Sequence, residues 1–345
     1  MRGLWKYISP FAPDQSGAAA VLYGLGGLVV VCDAGGCAGN ICGFDEPRWF
    51  TGAPSAAFSA GLRDMDAILG RDDRLVDKLC AAAAQIAAPF AAIIGTPVPA
   101  VIATDYQALR RLAEKRLSLP VVTIETKGTE RYDTGASMAY EGLCRRFARK
   151  ELARQRGRLN VLGALPLDTG CTEYTFLQEF LRHRGWQDVR IFGTHGLTDY
   201  ETAGAAEKNL VLAPAGLAAA RYLEEAFGTP YVVAYPVLPK VEKLPHDVTG
   251  KRILIVHQQV LANEVRRHLK GADVTVATWF LLQADLAQDG DCHLQEEDDF
   301  IQLADNDRFD IIIGDEFLRR ALPPFHGTFI DLPHFAVSGR CCAYD

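Results

Sequence analysis

Short, wholly apolar runs alternate with helix-patterned stretches along this chain, and that alternation limits the fold more than any other feature. Strands covered on both faces read as continuous Val/Ile/Leu runs, and strands separated by helices must pair in parallel. Leu28 to Val31, Ala92 to Ile94 and Val121 to Ile124 read as the strands of a first unit. Between them, Asp72 to Ala87 sets Leu75, Leu79, Ala83 and Ile86 on one helical face, and Asp105 has the position of an N-cap. A further helix is expected from about Ser137 to Arg154, its end carrying the solvated basic run RRFARKELARQRGR. A second unit opens with Leu159 to Gly163, the loop Ala164 to Thr172 and a helix through Arg184, then strands near Val189 to Phe192, Asn209 to Leu212 and Tyr231 to Ala234. The proline-bearing stretch YPVLPKVEKLPHD reads as a linker, and a third unit from Gly250 carries GKRILIVHQQ, DVTVATW, FDIIIGDEF and GTFIDLPHFAVSGRCC. The expected fold class is α/β, three Rossmann-like parallel-sheet modules in series, with module boundaries at 1–154, 155–246 and 247–345.

A chain of 345 residues has room for several cores, and its net charge of −7 comes from well-mixed acids and bases. Nothing in that balance draws it to nucleic acid or an anionic membrane. MRGLWKYISPFAPDQ has no apolar signal region, and no apolar run is long enough to span a bilayer, so a soluble cytoplasmic protein is expected. Nine cysteines in that setting read as thiols or metal ligands in a reducing, anaerobic cytosol. No GxGxxG follows the first strand of any unit, and GLGG at Gly24 to Gly27 precedes its strand, which argues against nicotinamide binding. There is no Walker A loop either, so the chain alone should not hydrolyse ATP.

The run LVVVCDAGGCAGNICGF ends a buried strand in a glycine-rich loop bearing Cys32, Cys37 and Cys42. Thiolates at the C-terminal mouth of a parallel strand stand where open α/β sheets bind ligands, and Gly35 and Gly36 let the backbone crowd an inorganic cluster. The C-x4-C-x4-C spacing matches neither a zinc ribbon nor a bacterial ferredoxin run, and three reduced cysteines packing as small apolar groups is the plainer alternative.

The order SGAAAVLYGLGG, strand, GGCAG, LRDMDAILGRDDRLVDKL, IIGTPVPAVIATD and LPVVTIETKG, followed by LNVLGALPLDTGCTEYTFLQEFLRHRGW and FGTPYVV, resembles the catalytic-component subunits of nitrogenase and their smaller relatives. That resemblance implies an iron-sulfur cluster near a pseudo-twofold interface, with Gly35, Gly36 and Cys37 matching the loop whose cysteine ligates it. It implies further family cysteines ahead of Gly17–Ala18 and near Thr96 or Pro97, and this chain has neither. A simpler cluster, of 4Fe-4S type, held by Cys37 with Cys42, Cys32 or thiolates of a second subunit, follows from that loss. Dinitrogen reduction is not expected. The implied partners are a second copy or paralogous subunit, an ATP-dependent iron-sulfur reductase and a small-molecule substrate. The alternative implied by the missing cysteines is a non-catalytic subunit or metallocofactor-maturation scaffold that pairs with a cysteine-complete paralogue.

Two residues outside that loop are candidates for chemistry. Cys171, in DTGC, follows a strand and points to the cleft between modules. His195, in FGTHG, has the intrinsic pKa of a proton donor, although a hydrogen-bonded loop histidine is the plainer reading. His334 in DLPHFAVSG is of the same kind, and Asp168 has the place of a turn former.

Overall fold

DQSGAAAVL has no amphipathic period, and a helix apolar on every side must lie inside. In the computed structural model, which describes residues 5–46, 48, 54–63, 66, 70–239, 247–305, 308–322 and 324–344, this segment is the helix Asp14–Leu22 with every residue buried. It packs against the helix Tyr132–Phe147 at backbone contact. A Cβ on Gly17 would stand 1.7 Å from the Tyr132 carbonyl oxygen, and one on Gly135 would stand 1.8 Å from that of Asp14. Only glycine permits this approach, and it brings the start of both helices to one place.

Around this pair stand three sheets of parallel strands. The first has the order β2-β1-β3-β4, with β1 at Leu28–Val31, β2 at Ala56–Ser59, β3 at Ala91–Ile94 and β4 at Val121–Ile124. The second repeats that pattern as β6-β5-β7-β8, from β5 (Gln155–Leu162), β6 (Asp188–Ile191), β7 (Ala206–Val211) and β8 (Tyr231–Val233). The third is β11-β10-β9-β12-β13, with β9 at Arg252–Val256, β10 at Asp273–Thr278, β11 at Cys292–His293, β12 at Ile311–Gly314 and β13 at Thr328–Asp331. In each sheet the first strand is internal and its successors turn to opposite sides, so a crevice opens beyond β1/β3, β5/β7 and β9/β12. The expected architecture of three parallel-sheet α/β modules is the observed one.

Boundaries differ where tertiary packing overrides periodicity. The helix expected from Ser137 to Arg154 runs from Tyr132 to Phe147, because Gly135 docks it at its start and Ala148 turns extended at φ −63°, ψ 122°. The basic run is therefore split between the end of that helix, a turn and the start of β5. The helix expected to reach Ala87 stops at Ala83. β2, with the weak strand sequence AAFS, is held by its register with β1, Val31 opposite Ser59. Of the stretch read as a linker, residues 240–246 lie outside the described residues, as do residues 64, 65 and 67–69 of the LRDMDAILGRDDRLVDKL motif. Among the described residues no helix is long and apolar enough to cross a membrane.

Candidate functional site

The crevice of the first sheet is built from the residues after β1 and β3. Cys32 continues β1, its N–H donating to the Ile94 carbonyl at 2.9 Å and its own carbonyl accepting from Thr96 Oγ1 at 2.7 Å. Its side chain is buried with Val76 and Tyr106, and burial, then the charges of Asp72 and Asp33, pushes the thiol up to about 12. Asp33, also buried, accepts from Ser59 Oγ and from the Ala38 N–H at 2.8 Å, which ties the following turn to β2. Gly35 at φ +123° lets the chain reverse into the short helix Gly36–Asn40, which carries Cys37, and a wider turn, Ile41–Asp45, carries Cys42. Both thiols are half-buried against the large core that contains Ile41 and the helix Asp14–Leu22. Burial raises both, and the Asp33 charge raises Cys37 further.

The fold thus separates the three cysteines into two groups. Cys37 and Cys42 pack on one face of the sheet and Cys32 on the other. Among the described residues no three His, Cys, Asp or Glu side chains converge as a metal ion requires. The two positions where the family resemblance calls for further cysteines are filled by oxygen chemistry. At one, the Asp14 carboxylate accepts from the N–H groups of Lys127 and Gly128 at 2.8 and 2.7 Å, and Ser16 Oγ donates to Asp45 at 2.6 Å. At the other stands Thr96, already bonded to the Cys32 carbonyl. These positions are neighbours. A Cβ on Gly128 would meet the Pro97 ring at 2.5 Å and Gln15 Oε1 at 3.2 Å. Gln15 Oε1 is buried without a hydrogen-bond partner. The rim leaves large apolar side chains in solvent, Phe44 at 80 % exposure and, after β3, Val101 at 85 %.

The crevices of the second and third sheets face each other and are closed. After β5, the turn Pro166–Thr169 is wholly buried and packs on the turn Phe335–Ser338. Asp168 is not a turn former bonded to its own backbone; it accepts from Tyr132 Oη at 2.8 Å, and burial pushes its carboxyl up to about 8. His334 is 1 % exposed, stacked on His257 at 4.0 Å and edge-on to Phe280 at 5.0 Å. Burial holds both rings neutral, His257 lowered to about 4 while it donates to the Pro333 carbonyl. Cys171 is half-buried beside Thr169, its thiol pushed up to about 11 by burial, and the Cys342 N–H donates to the Gly170 carbonyl at 2.8 Å. The pairs Tyr132–Asp168 and His257–His334 escape a reading of the sequence, because their members lie far apart in the chain, the first pair in different modules and the second at opposite ends of the third.

His195 is brought to neither crevice of the candidate chemistry. Its turn after β6 packs on Gly24 and Leu25, ahead of β1, whereas Cys37 follows the other end of that strand. Its Nδ1 lies 3.3 Å from the buried Asp199 and 2.9 Å from Thr194 Oγ1.

No curated protein matches the chain. Among solved structures, one described as "Nitrogenase Cp1 at pH 6.5" is similar with a TM-score of 0.70 at 12 % identity, over 96 % of this chain and 87 % of that one. Another, "Nitrogenase Cp1 at pH 5", has a TM-score of 0.66 at 14 % identity, over 91 % of this chain and 81 % of that one. The likeness is one of fold. The family model for nitrogenase component 1 type oxidoreductases matches residues 14–240, and the chain belongs to that family.

Proposed function

We propose that this chain is one subunit of a nitrogenase-like iron-sulfur oxidoreductase, in which the Gly35–Gly36–Cys37 loop meets the same loop of a second copy or of a paralogue. The observation that carries this reading is the half-buried Cys37 at the crevice of the first sheet, rimmed by exposed Phe44 and Val101. The donor set fits an iron-sulfur cluster only as a half-site. Cys37, with Cys42 on the same face, supplies thiolates from one chain, and a twofold axis would supply the others. Cys32 contributes to that half-site only if the loop rearranges, since it faces the opposite core. A bound cluster would supply one-electron transfer, fed by the ATP-dependent iron-sulfur reductase typical of this family. The chain's own part is to place and shield. Asp33 fixes the turn through Ala38, and Gly35 gives it its reversal. A small-molecule substrate belongs to this reading, but the crevice beside Cys171, covered by the C-terminal tail, does not admit one in this form. The cytoplasm is the compartment that suits such thiols.

Thr96 and Asp14, hydrogen-bonded within the chain where the family resemblance calls for cysteines, favour a second reading, a non-catalytic or maturation subunit that takes its cluster from a cysteine-complete paralogue. Anaerobic purification of the wild type, Cys37→Ala and, as a control on the helix Asp72–Ala83, Cys80→Ala separates these. Iron and a visible charge-transfer band in the wild type and Cys80→Ala, lost in Cys37→Ala, support the first reading. Iron that appears only on co-expression with a paralogue supports the second, and equal iron in all three proteins sinks the role of Cys37.

A further inference from the structure

A cleft of about 450 Å3 lies between the segment after β4 and the segments after β10 and β11. It falls within the roughly 300–1,000 Å3 of small-molecule sites and stands at the C-terminal ends of parallel strands. Its walls come from two sources. Trp279, Phe280, Leu281, Leu282 and Leu294 give one apolar side, and Thr129, Glu130, Arg131, Asp133 and Thr134, with His293 and Gln295, give the polar one. The polar wall is fixed by backbone bonds to the N-terminal segment, Tyr132 N–H to the Ala12 carbonyl and Asp14 N–H to that of Glu130, each at 3.0 Å.

Arg131 is the group that makes this cleft unusual. Its guanidinium lies 5.3 Å from the Trp5 ring centre and 5.4 Å from that of Phe11, and these rings are themselves packed on Trp279. A cation held by aromatic faces keeps its charge and loses its freedom to move. Among the described residues its side chain makes one hydrogen bond, to the Gln295 carbonyl at 3.2 Å, and no carboxylate lies within ion-pair distance. The second large cleft, near Arg74 and Lys78, differs in this respect. There Arg74 is paired with Asp66 at 2.7 Å, and Lys78 is bonded to the Ala60 carbonyl. Neither acid beside Arg131 forms an ion pair with it, although the charge of each reaches it. Asp133 spends its oxygens on the N–H groups of Leu281 and Thr134, and Glu130 is exposed. Their charge does set a limit, because only the ligand charge seated on the guanidinium gains a contact hydrogen bond, and a second charge farther out would meet the carboxylates alone.

We infer that this cleft binds a small organic monocarboxylate, its carboxylate on Arg131 and its apolar chain along Leu281, Leu282 and Leu294. The inference does not depend on the cluster. It is tested by calorimetric titration of the purified full chain with octanoate, octanol and inorganic phosphate, and tryptophan fluorescence provides a second signal because Trp5 and Trp279 adjoin the site. Octanoate should bind saturably, octanol and phosphate about tenfold or more weaker. Arg131→Gln should weaken octanoate by about 10- to 100-fold, the range for losing a charge-assisted bond, while Arg131→Lys restores part of it. If Arg131→Gln does not fold, Leu282→Glu, which puts a second carboxylate against the tail, should abolish binding in a folded protein. No saturable octanoate signal, equal binding of octanol, or wild-type affinity in the folded variants overturns the assignment.

Discussion

The first and second sheets share one strand order and finish their crevices in opposite ways. Beyond β5 the turn Pro166–Thr169 is wholly buried, and the C-terminal tail lies across it. Tyr344 stacks on Phe176 at 4.3 Å, donates to the Thr169 carbonyl at 2.6 Å and meets Tyr235 Oη at 2.7 Å. Beyond β1 no such strap exists among the described residues, and Phe44 stands 80 % exposed. Equal topology therefore decides where a crevice falls, and the residues after the strands decide whether the chain closes it or leaves it to something else. Phe44 in solvent near the half-buried Cys37 is the surface that the proposed second subunit would cover.

The largest effect expected from this contrast is on the strap. Tyr344→Ala removes a stacked ring and two hydrogen bonds from the closed crevice, and should cost about 2–4 kcal/mol of stability. Denaturant midpoints with an unchanged slope would measure it. Cys171, next to Gly170 under the tail, should then react faster with a thiol reagent. A loss below about 0.5 kcal/mol would mean that the tail merely rests on the crevice, and the distinction between the two mouths would fall.

The next effect depends on pH. Burial pushes the Asp168 carboxyl up to about 8 in the folded chain, far above the ~3.9 of an unfolded one. Between those values the native state holds a proton that the unfolded state has released. The stability contributed by this group is thus full below about pH 4 and is lost as pH rises through about 8. Asp168→Asn removes that dependence and can still accept from Tyr132 Oη. The variant should match the wild type near pH 5 to within about 1 kcal/mol and exceed it at pH 8 by an amount on the order of 1–3 kcal/mol. Urea unfolding at the two pH values decides it, and a wild type equally stable at both would show that the closed crevice admits water.

How much of this could be read from the sequence follows the range of the interactions. The strand runs LVVV and VVTI and the Asp105 cap were legible because their patterns are local. The reversal at Gly35 was legible for the same reason, but the short helix Gly36–Asn40 that carries Cys37 was not. That Cys32 and Cys37 part to opposite faces was hidden, since the spacing of cysteines says nothing about which side of a sheet a turn takes. The helix Asp14–Leu22 was hidden because burial on every side removes the periodicity that marks a helix. Asp168 finds Tyr132 across 36 positions, and Arg131 finds Trp5 across the whole first module. The first of these partners is set by the packing of two modules and the second by the packing of one module's ends, and no local pattern records either.

The smallest effect on stability is the one that bears most on the open crevice. Phe44→Ser replaces a ring that is already in water, so the isolated chain should change by less than about 0.5 kcal/mol. If the first crevice is where two subunits meet, the same ring becomes a buried anchor in the assembly, and its loss should weaken association by about tenfold or more. Sedimentation over a range of concentrations and denaturation of the dilute chain measure the two quantities separately. A cost above about 1 kcal/mol in the dilute chain would show that Phe44 serves the fold, as Tyr344 does, and that the first crevice is closed from within. Unchanged stability together with unchanged sedimentation would move the interface elsewhere and leave Cys37 to find its remaining ligands without a second subunit at this face. Unchanged stability with weakened association is the outcome that the proposed two-subunit reading predicts, because apolar surface such as that of Phe44 and Val101 gains only when another surface covers it.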